Sequence, residues 1–195
     1  AASKHFIRES TQVGETTVHS YALRNRLLGS GRESAEQVLK HAEAALQSYG
    51  GRLGPYPYAE MDLASTPMTA LGIEYPGTMG ISLKLYDLQA EVSGLPAPVL
   101  LESVVAHEIG HQWFYNVVGN DQQGEPWLDE ALTQYSTALY FEAIVGWDGA
   151  VEEVFESRYQ QVAGTAEDDL ISLPVAGYTA SNYGAVVYAK GPLFF

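Results

Sequence analysis

The sequence predicts an α+β fold, with a mainly antiparallel β lobe over about residues 1–95 and a helical lobe over about residues 96–195. The first part contains short segments rich in β-branched and aromatic residues, and the second contains longer segments with helical periodicity. Pro96 and Pro98 mark the change between them. A length of 195 residues and a hydrophobic content of 46% suffice for one well-packed core. We therefore expect a single domain whose two lobes flank a cleft.

The predicted β lobe contains three strands and one helix. Residues 16–23 are rich in β-branched and aromatic types, which favours a strand. Apolar residues recur at helical spacing over residues 33–49, and Gly50-Gly51 predicts the end of that helix. A short strand starts near Met61. Residues 78–86 alternate between apolar and polar side chains, as in a half-buried strand.

The predicted helical lobe contains four helices separated by glycine-containing breaks. Pro98 suits the first turn of the first helix, because its missing N–H has no helical partner there. Gly146 is expected to end the second helix. The helices are expected over about residues 98–117, over 127–145, from Asp148 to about Gly164, and from about residue 183 onward.

Charge and cysteine content argue against several classes of function. The net charge of −14 would repel nucleic acid and anionic membrane surfaces, but it suits a protein that binds a divalent cation or attracts cationic substrates. The chain has no cysteine, so any metal must be bound by histidine and carboxylate. No apolar run approaches the length of a membrane span, so we expect no membrane insertion in this segment.

The strongest motif is His107-Glu108-Ile109-Gly110-His111, inside a predicted helix. Residues four apart lie on one face of a helix, so both imidazoles can bind one metal ion. Glu108 lies to one side and can accept a proton from water without being a ligand. The competing interpretation is that both histidines serve only packing or lie at the surface.

A third ligand is predicted on the next helix. Glu130 follows His111 by nineteen residues, within Trp127-Leu128-Asp129-Glu130-Ala131. Two histidines and a glutamate are a typical ligand set for zinc sites that keep one position open for catalysis. Asp129 is a candidate acceptor that could orient an imidazole.

These residues resemble the zinc motif of the gluzincin aminopeptidases, the aminopeptidase N-like or membrane alanyl aminopeptidase family, which includes leukotriene hydrolase. Two further segments carry the resemblance. Gly72-Ile73-Glu74-Tyr75-Pro76 is similar to the family's Gly-x-Met-Glu-Asn motif, although Ile73 and Tyr75-Pro76 differ from the family residues. Tyr188-Ala189-Lys190-Gly191 is similar to its Tyr-x-Lys-Gly element. The Gly54-Pro55-Tyr56-Pro57-Tyr58 turn is also typical of bacterial members, so the matches extend from about residue 54 to residue 191.

The resemblance implies a thermolysin-like metallopeptidase catalytic domain with its zinc site between the two lobes. One zinc ion per chain would be bound by His107, His111 and Glu130 and would polarise the scissile carbonyl. Glu108 would act as general base. The enzyme would be an aminopeptidase that releases N-terminal residues from peptides.

Three further residues receive roles from the same resemblance. Tyr188 would donate its hydroxyl to the oxyanion, Tyr183 would flank the substrate cleft, and Glu74 would bind the α-ammonium group of a free N-terminus. Tyr188 is alternatively a packing residue, and Glu74 a solvated turn residue. Lys190 is expected to be structural.

Two other functions remain compatible with the sequence. One is a thermolysin-like endopeptidase or a leukotriene-hydrolase-like epoxide hydrolase, and the other is a binding module in which zinc only stabilises the fold. We also expect the full-length protein to carry a preceding β domain and a following helical domain that are missing from this segment.

Overall fold

The computed structural model describes residues 3–24 and 31–195. These residues divide into two compact units, Ala1–Gln112 and Trp113–Phe195. The division therefore follows Gln112, whereas the sequence predicts a change between lobes near residue 96. The single catalytic domain remains a prediction. No helix in the described ranges has both the length and the apolar character that crossing a bilayer requires.

The first unit consists of a five-stranded sheet, a small two-stranded hairpin and two helices. A short 3₁₀ turn, Leu83–Tyr86, follows the fifth strand. The elements are β1 Phe6–Val13, β2 Thr16–Leu23, α1 Gly31–Leu53, β3 Glu60–Thr66, β4 Gly72–Tyr75, β5 Thr78–Ser82, β6 Glu91–Val92, β7 Leu95–Pro96 and α2 Ala97–Gly110.

The five-stranded sheet is mixed, with the order β1-β2-β3-β5-β4. The β1–β2 and β4–β5 pairs are antiparallel, whereas β2–β3 and β3–β5 are parallel. The α+β class is thus confirmed, but the expectation of a mainly antiparallel sheet is corrected. The physical reason is α1, because a helical connection between β2 and β3 allows these strands to pair in parallel.

Helices α1 and α2 pack together and against the sheet, which places α2 in the first unit. The Tyr49 hydroxyl at the end of α1 donates a hydrogen bond of 3.0 Å to the Ala106 carbonyl of α2. Ser34 donates to the Tyr86 carbonyl at 2.7 Å. Both contacts are buried. The core of this unit is lined by apolar side chains, including Val18, Val38, Leu46, Met61, Leu63, Met79, Ile81 and Leu101.

Two predicted elements of this unit differ in extent from the observed ones. Helix α1 continues through Gly50-Gly51 and ends at Leu53. The strand predicted over residues 78–86 ends at Ser82 and continues as the 3₁₀ turn. Gly80 and Ser82 are buried together with Met79 and Ile81, because β5 is an interior strand with neighbours on both sides.

The second unit is helical. Its elements are α3 Pro126–Val151, a π-helical turn Glu152–Glu156, α4 Ser157–Gln160, a 3₁₀ turn Val175–Gly177, α5 Asn182–Ala185, a second π-helical turn Val186–Lys190 and a 3₁₀ turn Gly191–Phe194. The predicted helix end at Gly146 is seen as a kink inside α3, where this residue has a φ of 77°. This left-handed conformation suits glycine, which lacks the Cβ that would clash there.

Helix α2 is shorter than predicted. It ends at Gly110, whereas the sequence predicts a helix to about residue 117. The Gln112 N–H bonds to the Ile109 carbonyl, which tightens the last turn. Beyond it, Phe114 and Val118 form an isolated β-bridge in the second unit.

Candidate functional site

His107 and His111 lie on the last turn of α2 and at its C-cap, and both are buried. Their Nε2 atoms are 3.1 Å apart. The rings are nearly perpendicular, at 86°, with centroids 4.7 Å apart. The four-residue helical spacing therefore brings the two nitrogens to a common point, as the sequence predicts.

This pair fits a shared zinc ion. Zinc–nitrogen bonds of about 2.0–2.1 Å in tetrahedral geometry place two ligand nitrogens roughly 3.3 Å apart. The observed Nε2 separation of 3.1 Å is close to that value. His107 in the last turn of α2 and His111 at its C-cap thus present their nitrogens at a separation suited to one ion.

Glu108 is buried beside β4. A Cβ atom built on Gly72 would overlap the Oε1 atom of Glu108. Only glycine at position 72 therefore allows the carboxylate and the strand to approach this closely. The general-base candidate thus adjoins the start of the motif that contains Glu74.

Glu74 lies on β4, at the edge of the sheet, and precedes β5 in the chain. Gly72 and Glu74 pair with Ile81 and Met79 of β5. Directly paired residues share a face, so both belong to the inner face that carries these two buried side chains. Glu74 is two residues, about 6.6 Å along the strand, from the point where Glu108 adjoins Gly72.

Gln112 is a buried residue of this region that the sequence reasoning missed. Its side chain donates to the Tyr75 carbonyl at 3.2 Å and accepts a hydrogen bond from the Gly77 N–H at 2.9 Å. These contacts fix the β4–β5 turn to the chain just beyond α2. A polar residue directly after the second histidine, within a predicted buried helix, is the signal that could have identified it.

Glu130 lies in the second turn of α3, in the second unit. The neighbouring Asp129 is buried and holds the preceding loop in place. Its carboxylate accepts hydrogen bonds from the Gln122 side chain at 2.7 Å and from the Glu130 N–H at 3.0 Å. The start of α3, which carries the predicted third ligand, is therefore well anchored within its own unit.

Tyr188 stands in the π-helical turn Val186–Lys190, and Tyr183 stands on α5 just before it. Their rings pack edge to face at a centroid distance of 5.9 Å. Tyr178 packs against Tyr183 in the same manner, at 5.5 Å. The two predicted tyrosines are thus brought together. Single π-helical turns occur frequently at functional sites.

Lys190, at the end of the same turn, is held by the loop over residues 164–181. Its ammonium donates to the Asp168 carboxylate and to the Asp169 carbonyl, each at 2.6 Å. Asp168 also accepts from the Gly164 N–H at 3.0 Å and from the Tyr159 hydroxyl at 3.2 Å. The hydrogen bond from Lys190 is the main cause that holds the pKa of Asp168 below its ordinary value. The structural role expected for Lys190 is consistent with these contacts.

Comparison with known proteins identifies several relatives, all of them aminopeptidases by name. Aminopeptidase B of Rattus norvegicus is 29% identical over 174 residues, which cover 78% of this chain and 25% of that protein. Aminopeptidase M1 of Arabidopsis thaliana is 30% identical over 146 residues, 70% of this chain and 16% of that protein. Endoplasmic reticulum aminopeptidase 1 of Homo sapiens is 33% identical over 105 residues, which cover 52% of this chain and 11% of that protein. The chain thus spans about a quarter or less of these proteins.

The family comparison covers most of the chain. Residues 36–195 match the peptidase family M1 domain. The matched range includes every predicted site residue, from Glu74 on the edge strand to Tyr188 in the π-helical turn. This chain therefore belongs to peptidase family M1.

Proposed function

We propose that this chain carries the catalytic site of a zinc-dependent aminopeptidase. The observation that carries the proposal is the arrangement in the first unit. Two histidines with convergent nitrogens flank Glu108 in the motif, and the Glu108 carboxylate adjoins the edge strand that carries Glu74. Membership of peptidase family M1 and the names of the relatives support the same conclusion.

His107, His111 and Glu130 are proposed to bind one zinc ion per chain. Support for the two histidines comes from their convergent nitrogens, and support for Glu130 comes from its place in the segment that resembles the family's zinc motif. Three protein ligands leave one position open, as catalytic zinc sites require. When bound, zinc supplies a Lewis acid that polarises the scissile carbonyl and makes a water molecule more acidic.

Glu108 is proposed to move the proton in this reaction. Its carboxylate takes a proton from the attacking water and passes it to the leaving amine as the peptide bond breaks. Burial beside Gly72 restricts the side chain to a narrow range of positions, which favours proton transfer in a fixed geometry.

Tyr188 is proposed to donate its hydroxyl to the oxyanion that forms on the scissile carbonyl. Tyr183 is proposed to flank the substrate. Support comes from the sequence similarity of residues 188–191 to the family element and from the π-helical turn that carries Tyr188.

Glu74 is proposed to bind the α-ammonium group of the substrate and thereby to restrict cleavage to the chain end. An edge strand offers unpaired backbone groups to an extended peptide, and a carboxylate on that strand attracts a cationic amine. Glu74 is also the only acidic residue between Thr66 and Tyr86.

A comparison of free and blocked substrates tests this proposal. The protein should contain about one zinc ion per chain and should hydrolyse free amino-acid amides much faster than N-acetylated ones. Glu74→Ala should lower kcat/KM for free substrates. The corresponding loss of transition-state stabilisation should be roughly 2–4 kcal/mol, because an ion pair in a partly desolvated site is lost. Acetylated substrates should be poor and little affected by the substitution.

Glu60→Ala is a matched control, since it removes an exposed carboxylate from the same unit. It should leave both rates unchanged. Equal cleavage of free and acetylated peptides would instead favour an endopeptidase. Zinc binding without any turnover would favour a binding module.

A further inference from the structure

Gln112 lies directly after His111, just beyond the end of helix α2, and its side chain is fully buried. A buried amide needs hydrogen-bond partners, because an unpaired donor or acceptor in the protein interior costs free energy. The partners of Gln112 are in the β4–β5 turn. Its Nε2 donates to the Tyr75 carbonyl at 3.2 Å, and its Oε1 accepts a hydrogen bond from the Gly77 N–H at 2.9 Å. No step of the proposed reaction uses this residue.

These partners define the orientation of the amide. A backbone carbonyl can only accept and a backbone N–H can only donate, so Nε2 faces Tyr75 and Oε1 faces Gly77. The Tyr56 hydroxyl also donates to Oε1, at 3.5 Å. The three contacts agree on one orientation, and two of them join Gln112 to the backbone of the turn.

The β4–β5 turn has residues that make support from outside useful. Tyr75 pairs with Thr78, so the connection consists of Pro76-Gly77. Two-residue hairpins favour turns whose first central residue has a positive φ, because their twist matches that of the strands. Proline instead fixes φ near −65°, and Gly77 has a φ of 70°, which is the combination that type II turns prefer. Since type II turns splay the strands, Gln112 supplies a constraint that the turn itself lacks.

Glu74 lies between two contacts with the segment that carries the histidines. On one side, Gly72 adjoins the Glu108 carboxylate. On the other side, Tyr75 accepts a hydrogen bond from Gln112. Glu108 and Gln112 each directly follow one of the two histidines in sequence. The backbone before and after Glu74 is therefore joined to one short segment, and Gln112 makes the contact nearest to Glu74.

We propose that Gln112 is a positioning residue that fixes Glu74 relative to the two histidines and thereby sets the selectivity for free N-termini. The proposal rests on the proposed function, in which Glu74 binds the α-ammonium group of the substrate. A charge-assisted hydrogen bond depends on geometry, and a misplacement of about 1 Å can lower a rate by about a hundredfold. Gln112 acts through the backbone of Tyr75 and Gly77 and does not touch the substrate.

A comparison of free and N-acetylated substrates in Gln112 variants tests the proposal. Gln112→Met keeps an unbranched side chain of similar size and removes both hydrogen bonds to the turn. We expect the ratio of kcat/KM for a free amino-acid amide to that for its acetylated form to fall by about tenfold or more. Zinc content should stay at about one ion per chain, because no proposed ligand is changed. Gln112→Asn shortens the reach of the amide by one methylene group and should lower the same ratio, so it serves if the methionine variant does not fold.

Gln134→Met is the matched control. Gln134 is a buried residue of α3 in the second unit, and its side chain donates to the Val154 carbonyl at 3.1 Å. The substitution removes a buried hydrogen bond of the same kind and should lower Tm, but it should leave the ratio of free to acetylated turnover unchanged. An equal fall of this ratio in Gln134→Met and Gln112→Met would show a general effect of lost stability and would overturn the proposal.

Amide hydrogen exchange checks the contact on which the proposal depends. The Gly77 N–H donates to Gln112 and should exchange slowly in the parent protein. In Gln112→Met its exchange should become at least about tenfold faster, while the amides of α3 should exchange as before. Unchanged protection of the Gly77 N–H would mean that another group holds the turn, and the proposal would be wrong.

A double-mutant cycle separates positioning from an independent effect. If Gln112 acts through Glu74, Gln112→Met should have little further effect on free substrates in a protein that already carries Glu74→Ala. Additive effects of the two substitutions would overturn the positioning role and leave the proposed function intact, as would an unchanged ratio of free to acetylated turnover in Gln112→Met. If Glu74→Ala alone leaves the turnover of free substrates unchanged, the amine-binding step of the proposed function fails, and the positioning role fails with it.

Discussion

The side chains of Glu108 and of the two histidines in its motif have different surroundings. The nitrogens of His107 and His111 face one another, whereas the Glu108 carboxylate adjoins the backbone of Gly72. The lack of a side chain at position 72 is what allows this approach. Gly72 is therefore as important for the placement of the carboxylate as the helix that carries it.

Substitutions within the motif should separate metal binding from proton transfer. We expect Glu108→Ala to retain about one zinc ion per chain and to lose activity, because the role proposed for this residue is proton transfer and not metal binding. His107→Ala should lose both the metal and the activity. Zinc content by elemental analysis, together with turnover of a free amino-acid amide, checks this prediction. Loss of zinc from Glu108→Ala as readily as from His107→Ala would show that the division of roles is wrong.

At the scale of elements, the π-helical turn Val186–Lys190 depends on its contacts within the second unit. Lys190 is held by Asp168 and Asp169, and Tyr188 packs against Tyr183. These contacts hold the turn after Tyr188 and pack the ring of Tyr188 itself. This preorganisation is what donation to an oxyanion requires.

Tyr188→Phe should therefore reduce turnover and leave substrate binding nearly unchanged. A donor that meets the oxyanion only in the transition state contributes to kcat and not to ground-state binding. We expect kcat to fall by roughly a hundredfold or more, with KM little changed. Tyr135→Phe, which removes a hydroxyl on α3 of the same unit, should be neutral. Near-normal turnover of Tyr188→Phe would assign this tyrosine to packing.

The contact between Lys190 and Asp168 should make the second unit sensitive to acid. The pKa of Asp168 lies below its ordinary value of 3.8 in the folded protein, mainly because Lys190 donates a hydrogen bond to it. A lowered folded-state pKa adds stability above the unfolded-state pKa, and this stability is lost as the pH falls through the folded-state value. Asp168→Asn should thus have a lower Tm than the parent protein at pH 7. This difference in Tm should become smaller below about pH 4.

Thermal melts at pH 7 and pH 3 measure that difference. Asp169→Asn is the control, because Asp169 contacts Lys190 through its backbone carbonyl, which the substitution retains. Its Tm should stay close to that of the parent. A deficit of Asp168→Asn that is the same at both pH values would rule out the ion pair as its cause.

Local sequence patterns were sufficient to predict those elements whose hydrophobic periodicity agrees with how they pack against their neighbours. Strand β2, helix α1 and the spacing of His107 and His111 follow from such patterns. The end of α2 and the parallel pairing of β3 depend on tertiary packing, which no local window contains. The approach of Gly72 to Glu108 joins residues thirty-six positions apart, so only the fold could reveal it.

At the scale of the whole molecule, net charge is the property most relevant to substrates. The chain has 24 acidic and 10 basic residues, which give it a formal net charge of −14. A field of this sign raises the local concentration of cations and speeds their association. The proposed substrates carry a cationic N-terminus, and additional basic residues would strengthen the attraction.

The rate advantage of cationic peptides should therefore depend on salt. We compare a free-ended peptide that carries one additional lysine with a neutral homologue of equal length. At an ionic strength of about 0.01 M, where screening acts only beyond roughly 30 Å, the lysine peptide should have the higher kcat/KM by several-fold. At about 1 M the screening length falls to roughly 3 Å, so the ratio should approach the value set by direct contacts alone. A homologue with glutamate should show the opposite trend and gain from added salt. If the ratio of kcat/KM for the lysine peptide to that for the neutral peptide stays constant across this range, long-range attraction does not contribute, and any preference for lysine must come from direct contacts.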